Sequence, residues 1–350
     1  MITRASRRIG WLPGPADPAV EVETVLSLPY HDLDLRVPRL TAPSLARLLE
    51  RVAANRDAYL AELPIERIIT LIDRVASRWL DPTSPFRREA ERLLPRVTGY
   101  AESAVRKGLI SYLSTLRAEN VRRLLDEELF DPLVLDGFRP RRNGGGETRA
   151  FGPRLTVQVW SGNVPGLPAQ SLLSSLLLKS AAVGKVAAEE PLFATLLAES
   201  VAEVDPRLAE CLAVVYWPGG DEALESVAFG AADAVIAYGS EQTIASVRAR
   251  VKPGTRFMPY GHKLSFGAIA REALAADRVV DTADLAAYDV SKYDQQGCLS
   301  PHLLYIETGG ETSPRDFSHA LGQALERQAA LVPRGRLEFA EAASATAARQ

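Results

Sequence analysis

Apolar residues follow helical spacing in the first third of the chain, after an N-terminal stretch with strand-like alternation. Residues 20–28 and 33–37 alternate in character, which predicts extended segments lying on the body of the protein. After Pro43 and again after Pro64, apolar residues recur three and four positions apart, and one long helix is predicted around residues 105–129. The sequence Asn143-Gly-Gly-Gly146 then predicts a hairpin tip or a loop.

Beyond this loop, short apolar runs alternate with helices that are apolar on one side. The predicted strands span residues 155–160, 182–187, 212–217, 234–238 and 256–259. The predicted helices span residues 168–180, 192–204, 222–229 and 241–251. This alternation is typical of an α/β fold with a doubly wound parallel sheet, and such sheets bind ligands at the carboxyl ends of their strands.

A second module is predicted from Lys263 onward. It contains strands at residues 264–269 and 303–306, a polar loop around Cys298, and a helix over residues 314–331. An Ala-rich tail, helical or frayed, follows to Gln350. We therefore divide the chain into residues 1–262, with the N-terminal helices and the larger sheet, and residues 263–350, with a second α/β domain.

The composition excludes several classes of protein. The 350 residues include 41 Lys and Arg against 44 Asp and Glu, so the net charge of −3 gives no indication of a nucleic-acid partner. Two cysteines and four histidines are too few for a disulfide framework or a structural zinc site. The basic N-terminus is not followed by an apolar segment, and Lys179 interrupts the longest apolar run. These features predict a soluble, cytoplasmic protein with no metal site and no transmembrane segment.

Three strand ends of the predicted sheet carry residues that suit a ligand. Asn163, in Ser161-Gly-Asn-Val-Pro-Gly166, offers an amide donor, although this sequence also suits a plain turn before a helix. Lys185 could meet a phosphate or ribose hydroxyls, but most strand-end lysines are simply solvated. Gly239 and Ser240 open a helix whose N-terminus could bind an anion, although the simpler role of Ser240 is an N-cap. No Gly-x-Gly-x-x-Gly sequence follows a predicted strand, so a standard Rossmann loop is not supported.

The two cysteines have different surroundings. Cys211 precedes an apolar strand and fits a buried, inert thiol. Cys298 lies in the polar, turn-like sequence Asp294-Gln-Gln-Gly-Cys-Leu-Ser-Pro301. A cysteine in a polar loop between apolar elements is the better candidate for a reactive thiolate, which makes Cys298 a candidate nucleophile.

Asn163, Lys185, Gly239-Ser240 and Cys298 occur in the order and local context of the aldehyde dehydrogenase superfamily, which the chain resembles. More closely, it resembles the long-chain acyl-CoA and acyl-protein reductases, including the fatty acid reductase component of bacterial bioluminescence. The segments that carry this second resemblance are residues 67–81, Leu94-Pro-Arg-Val-Thr-Gly-Tyr100, Leu178-Lys-Ser-Ala181, Asp294-Gln-Gln-Gly-Cys-Leu-Ser-Pro301 and Ser313-Pro-Arg-Asp-Phe317.

The resemblance implies a role for each residue. Cys298 attacks the carbonyl of a long-chain acyl thioester, and the Asn163 amide with the backbone N–H of Cys298 stabilises the oxyanion, each such donor being worth ~3 kcal/mol. Lys185 binds the cofactor ribose, and Gly239 and Ser240 bind its pyrophosphate. NADPH then reduces the S-acyl carbon and a long-chain aldehyde is released. The resemblance also implies a homo-oligomer, and an acyl carrier protein or acyl-protein synthetase as possible partners; CoA is the other possible acyl donor.

Three positions depart from the superfamily pattern. Pro259 stands where hydrolytic members carry the glutamate that activates water, which favours reduction over hydrolysis. Ala188 stands where a ribose-binding carboxylate is expected, which favours NADPH over NADH. The superfamily's catalytic domain continues well past the nucleophile, whereas this sequence ends at Gln350, so we expect a fragment or a truncated relative.

Functions from different classes remain open at this point. The first is an NADPH-dependent acyl-thioester reductase, and the second is a non-catalytic subunit that carries the acyl chain on Cys298 or docks a synthetase. Hydrolytic aldehyde oxidation is disfavoured by Pro259. His262 and His302 are nearby candidates for an acid or base, although surface or structural roles are the simpler interpretation.

Overall fold

The computed structural model describes residues 5–14, 23–26 and 33–336. A small sheet at the N-terminus contains β1 (Ala5–Arg8), β2 (Glu23–Leu26) and β3 (Leu33–Pro38), with β3 parallel to β1 and antiparallel to β2. Trp11 pairs with Val214 through two backbone hydrogen bonds of 2.9 Å. The segment around Trp11 therefore lies on the main body. Residues 33–37 are extended as predicted, whereas the predicted run at residues 20–28 is described only at residues 23–26, which are extended. The predicted Ala-rich tail lies outside the described residues.

Helices follow, and one prediction about them was wrong. The first five are α1 (Ala42–Ala58), α2 (Ile65–Leu80), α3 (Pro85–Thr98), α4 (Glu102–Ser114) and α5 (Ala118–Leu129). The single helix predicted over residues 105–129 is divided between α4 and α5. The Thr115 hydroxyl donates to the Tyr112 carbonyl at 2.6 Å, and the Asp73 carboxylate accepts the Ala118 N–H at 2.9 Å. A capping contact from α2, distant in sequence, therefore starts the second helix.

The predicted loop at residues 143–146 is confirmed as a hairpin tip, and the main sheet follows it. The hairpin strands are β4 (Arg139–Pro140) and β5 (Glu147–Thr148), which pair antiparallel. The sheet strands are β6 (Leu155–Val159), β7 (Ala181–Lys185), β8 (Leu212–Val215), β9 (Ala234–Tyr238) and β10 (Arg256–Tyr260). The helices between them are α6 (Leu167–Leu177), α7 (Phe193–Val204), α8 (Pro206–Ala209), α9 (Glu222–Ala231) and α10 (Glu241–Arg250).

Within the described chain, this sheet has the order β10-β9-β6-β7-β8 and every pairing is parallel. Alternate residues of β7 and β8 enter different cores. Leu155, Val157 and Val159 pack with residues of α1 and α9, whereas Trp160 packs with α2, α6 and α7 on the opposite face. Helices thus cover both faces, which confirms the doubly wound α/β prediction.

One close contact inside the sheet requires a glycine. Gly184 lies in β7 beneath the indole of Trp160, and a Cβ added there would lie 1.8 Å from the Trp160 Cη2 atom. The indole N–H donates to Gln158 Oε1 at 2.9 Å, and Gln158 in turn donates to Ser175 Oγ at 2.8 Å. This buried polar network is hydrogen-bonded along its length and holds Trp160 against β7.

The second module is smaller. It contains β11 (Phe266–Ile269), α11 (Val279–Ser291), β12 (Leu303–Ile306) and α12 (Pro314–Leu331). β11 and β12 pair in parallel, and α11 packs on α12. Its buried core consists of Leu274, Ala283, Ala287, Phe317 and Ala324. Across residues 5–14, 23–26 and 33–336, no helix combines the length and apolarity needed to cross a membrane.

Candidate active site

The carboxyl ends of three strands meet at one edge of the main sheet. Val159, the last residue of β6, pairs with Lys185 of β7 on one side and with Ala237 of β9 on the other. The chain order reverses across β6, since β7 and β8 lie to one side and β9 and β10 to the other. The loops after β6 and β9 therefore flank the crevice where ligands bind in open α/β sheets. All four predicted strand-end residues, Asn163, Lys185, Gly239 and Ser240, lie on these strands or their loops.

Asn163 reaches from this edge to the loop that carries Cys298. Its side-chain Nδ2 donates to the Gln296 carbonyl at 2.7 Å, a contact between residues 133 positions apart. The Ser161 hydroxyl donates to Asn163 Oδ1 at 2.7 Å, which fixes which end of the amide faces the loop. An amide nitrogen carries two N–H groups, so one remains for a ligand. The structure thus places Asn163 in contact with the loop that carries Cys298.

The cysteine loop begins with an unusual backbone. Tyr293, Asp294 and Gln295 have φ angles of 52°, 52° and 68°, so three consecutive L-residues are left-handed. This conformation costs roughly 1–2 kcal/mol per residue, or roughly 3–6 kcal/mol for the three. Asp294 Oδ2 accepts the Gly335 N–H at 2.9 Å, and Gln295 Nε2 donates to the Pro301 carbonyl at 3.2 Å. Tertiary contacts therefore hold a turn that the local sequence disfavours.

The exposure of the two thiols agrees with the sequence prediction. Cys298 is exposed, and its carbonyl accepts a hydrogen bond from the Ser265 hydroxyl, which ties the loop to the start of β11. Cys211 is buried, its Sγ donates to the Arg207 carbonyl at 3.4 Å, and burial raises its pKa to about 12. Only Cys298 is accessible to a substrate in this conformation.

Tyrosines surround the cysteine loop, and sequence reasoning missed them. Burial raises the pKa of Tyr112 and of Tyr238, and interaction with the nearby Cys298 thiol raises both further. Tyr238 stacks on Tyr260 at a ring-centroid distance of 4.8 Å. Tyr112 donates to Gln170 Oε1 at 2.9 Å. The raised pKa values keep the Tyr112 and Tyr238 phenols protonated over the ordinary pH range, and both lie close enough to Cys298 to interact with its thiol.

Lys185 is almost fully buried at the end of β7, with 8% of its surface exposed. Burial lowers the pKa of its ammonium, and the carboxylates of Glu225 and Glu189 oppose that change. Its Nζ lies 6.0 Å from the ring centroid of Tyr216 and 5.9 Å from that of Trp217. Among the described residues it contacts rings rather than a hydrogen-bond acceptor, so its three N–H groups are available to a ligand.

The turn after β9 has the geometry of a helix N-cap. Ser240 Oγ accepts the Thr243 N–H at 3.2 Å, and Gly239 donates its N–H to the Tyr260 carbonyl at 3.3 Å. A Cβ at Gly239 would lie 3.0 Å from the Thr243 side chain, so the turn packs tightly against α10. A helix N-terminus with free N–H groups favours an anion, and α10 begins directly after this turn at the end of β9. The capping role of Ser240 is observed, and its cofactor role stays a prediction.

A buried carboxyl group lies in the loop after β7. Glu190 is 5% exposed and accepts the N–H groups of Leu192 and Phe193 at 2.9 and 2.8 Å. Burial raises its pKa from 4.5 to about 7, although these two hydrogen bonds lower it. A Cβ at Gly162 would lie 3.1 Å from the Glu190 backbone nitrogen, so this loop packs against the one that carries Asn163. Sequence reasoning did not identify Glu190.

The remaining predicted positions lie around the edge of the site. Pro259 is exposed near the end of β10, and His262 is exposed just beyond it. His302 is also exposed, and its backbone N–H donates to the Ser265 carbonyl at 2.8 Å. Within the described part of the chain, no group of His, Cys, Asp and Glu side chains could hold a metal ion.

This fold is that of the aldehyde dehydrogenases. The structure matches the aldehyde dehydrogenase KauB from Pseudomonas aeruginosa with a TM-score of 0.70 and 14% identity, over 91% of this chain and 62% of that chain. It matches an indole-3-acetaldehyde dehydrogenase in complex with NAD⁺ with a TM-score of 0.67 and 17% identity, over 92% of this chain and 63% of that chain.

Residues 60–350 match the acyl-CoA reductase (LuxC) family, and the chain belongs to that family. A long-chain acyl-protein thioester reductase from Photorhabdus luminescens is 28% identical to it over 327 residues. That alignment covers 92% of this chain and 65% of the relative, so the chain spans less than two thirds of that protein's length. The family and fold expected from the sequence are both confirmed.

Proposed function

We propose that this chain reduces a long-chain acyl thioester to the aldehyde with NADPH, through an S-acyl intermediate on Cys298. The observation that carries the proposal is the contact between Asn163 Nδ2 and the Gln296 carbonyl at 2.7 Å. It brings an amide donor from the sheet edge to within two residues of an exposed thiol. Nucleophilic thiol catalysis needs this pairing of a nucleophile with an oxyanion donor.

Each side chain has a defined task in this proposal. The Cys298 thiolate forms a bond to the thioester carbonyl carbon, and the carrier thiolate leaves. The free N–H of Asn163 and the backbone N–H of Cys298 stabilise the oxyanion, each worth ~3 kcal/mol. After reduction of the acyl carbon, the thiohemiacetal releases the aldehyde and the thiol is regenerated. Pro259 offers no carboxylate at its position to activate water, which favours reduction over hydrolysis.

The residues at the sheet edge fit a nicotinamide dinucleotide. Lys185 is a buried cation whose N–H groups are available to ribose hydroxyls or phosphate oxygens, and the indole N–H of Trp217 is buried without a hydrogen-bond partner in the described structure. The N-terminus of α10 after Gly239 and Ser240 suits the pyrophosphate. When bound, NADPH supplies the hydride. Ala188 favours NADPH over NADH, because it places no carboxylate at this position. The neighbouring Glu189 is exposed, and its carboxylate opposes the lowering of the Lys185 pKa by burial.

The name of the Photorhabdus relative supports a protein-bound acyl thioester as the substrate. We accordingly propose an acyl-protein synthetase or an acyl carrier protein as the donor partner, with acyl-CoA as the alternative donor. We also propose that the protein acts in the cytoplasm, as a homo-oligomer.

Intact mass spectrometry after incubation with a long-chain acyl thioester tests the proposal. We expect one acyl adduct on the wild type without NADPH, and loss of the adduct with aldehyde formation when NADPH is added. Cys298→Ala should abolish both, whereas Cys211→Ala should retain both because Cys211 is buried. NADH in parallel reports the cofactor preference.

Each other outcome selects a different interpretation. Aldehyde formation by Cys298→Ala at the wild-type rate would refute the thiol mechanism. A stable adduct without NADPH oxidation would select the acyl-carrying subunit. Release of free acid in place of aldehyde would indicate hydrolysis despite Pro259.

A further inference from the structure

Tyr100 ends a segment, Leu94-Pro-Arg-Val-Thr-Gly-Tyr100, to which the proposed function assigns no role. Gly99 closes α3 in the left-handed region, with a φ of 77°, and this turn directs Tyr100 away from the helix axis. Tyr100 is 6% exposed. Its ring packs against that of Tyr293, with centroids 6.0 Å apart. A residue from the helical N-terminal region therefore lies beside the first left-handed residue of the cysteine loop.

The hydroxyl of Tyr100 joins the two loops of the candidate active site. It donates to the Asn163 backbone carbonyl at 2.7 Å and lies 3.2 Å from Gln296 Oε1. The Asn163 side chain donates to the Gln296 carbonyl at 2.7 Å. These contacts form a closed ring of three residues that come from three separate regions of the chain.

We propose that Tyr100 is a positioning residue that holds the Asn163 amide and the Cys298 loop at the separation that catalysis needs. We call the contacts of the Tyr100 hydroxyl with Asn163 and Gln296 the clamp. The inference rests on the proposed function for the roles of those two residues. Asn163 and Gln296 are 133 positions apart, so only tertiary contacts can set their separation. Displacement of a catalytic group by an ångström can cost on the order of a hundredfold in rate. The loop also begins with three left-handed residues, whose relaxation the clamp opposes.

Tyr100→Phe removes the hydroxyl and keeps the ring against Tyr293. The matched control is Tyr59→Phe, because the Tyr59 hydroxyl donates to Asp205 Oδ2 at 2.7 Å in the contact between the end of α1 and α8. We expect single-turnover acylation of Cys298 to slow about tenfold in Tyr100→Phe at saturating acyl thioester. We expect KM for the thioester to be unchanged and the melting temperature to fall no further than in Tyr59→Phe.

A double-mutant cycle tests whether the hydroxyl acts through Asn163. The acylation rate lost in the pair Tyr100→Phe and Asn163→Ala should be smaller than the product of the two single losses, because part of the effect of Tyr100→Phe is displacement of an amide that Asn163→Ala has already removed. Additive losses would overturn the proposal, and so would a wild-type acylation rate in Tyr100→Phe.

Hydrogen–deuterium exchange supplies a readout that does not depend on acyl chemistry. Amides of residues 293–300 should exchange faster in Tyr100→Phe than in the wild type, and at the wild-type rate in Tyr59→Phe. Unchanged exchange in Tyr100→Phe would refute the clamp. Failure of the wild type to accept an acyl group would refute the proposed function instead, and the exchange result would still decide the clamp.

Discussion

Glu190 should make the stability of this protein fall as the pH rises through neutrality. Its carboxyl group is buried in the loop after β7, and burial raises its pKa from 4.5 to about 7 against the opposing effect of two backbone N–H groups. In the unfolded chain the same group ionises at its ordinary value. The folded protein therefore binds one more proton than the unfolded chain between these two pH values.

The sign and size of the effect follow from this difference in proton binding. The stabilisation is fully present below about pH 4.5 and is lost as the pH rises through about 7, because only the unfolded state then gains from ionisation. One pKa unit corresponds to roughly 1.4 kcal/mol, so the free energy of unfolding should fall by roughly 3 kcal/mol across this window.

Glu190→Gln isolates this contribution because glutamine cannot ionise, while its Oε1 can still accept the N–H groups of Leu192 and Phe193. We expect the stability of the variant, relative to the wild type, to increase by roughly 2–3 kcal/mol between about pH 5 and about pH 8 in urea unfolding. Glu147→Gln is the control, since Glu147 is exposed in β5 and its variant should follow the wild-type profile.

Two results would refute this reasoning. Parallel profiles for Glu190→Gln and the wild type would mean that the carboxyl group has the same pKa in both states. A relative loss of stability in the variant as the pH rises would mean that the two N–H groups outweigh burial and lower the pKa.

Two further predictions concern the main sheet. Gly184→Ala should destabilise the protein by about 1–3 kcal/mol in urea unfolding, since its Cβ would lie 1.8 Å from Trp160 Cη2. Gly137→Ala is the control, because a Cβ added at Gly137 would have no neighbouring atom within 4 Å. Equal losses of stability in the two variants would refute the steric argument. Lys185→Met should raise the Kd for NADPH about tenfold in a fluorescence titration, since a hydrogen bond to a charged group is lost. Lys252→Met is the control and should leave the Kd for NADPH unchanged, because the Lys252 ammonium donates to the Gly230 carbonyl. An unchanged Kd for Lys185→Met would exclude Lys185 from the cofactor site.

The secondary structure of the main sheet was predictable because strand and helix periodicities are local. β9 was predicted with its observed limits, and the other four strands to within two residues. The division between α4 and α5 was not predictable in this way. Both helices continue the same apolar spacing, and the Asp73 carboxylate that starts α5 belongs to α2, over forty positions earlier.

The candidate site was predictable in its residue types but not in its contacts. Asn163 and Cys298 stood out because an amide in a strand-end turn and a cysteine in a polar loop are chemically distinctive. Tyr112 and Tyr238 carried no signal, since tyrosines at such spacings are ordinarily core residues. Tyr100 did carry one, because its segment resembles the reductase family, but its contacts with Asn163 and Gln296 could not be read from the sequence.

The sequence by itself determined the order of strands and helices, the chemistry available at each strand end, and the family. These properties depend on neighbours within a few positions along the chain. Only the tertiary structure decided the left-handed turn before Cys298, the burial of Glu190 and the separation of Asn163 from the cysteine loop. Each depends on which distant elements pack together, because backbone strain is held by remote contacts and a carboxyl pKa responds to the surroundings that folding creates.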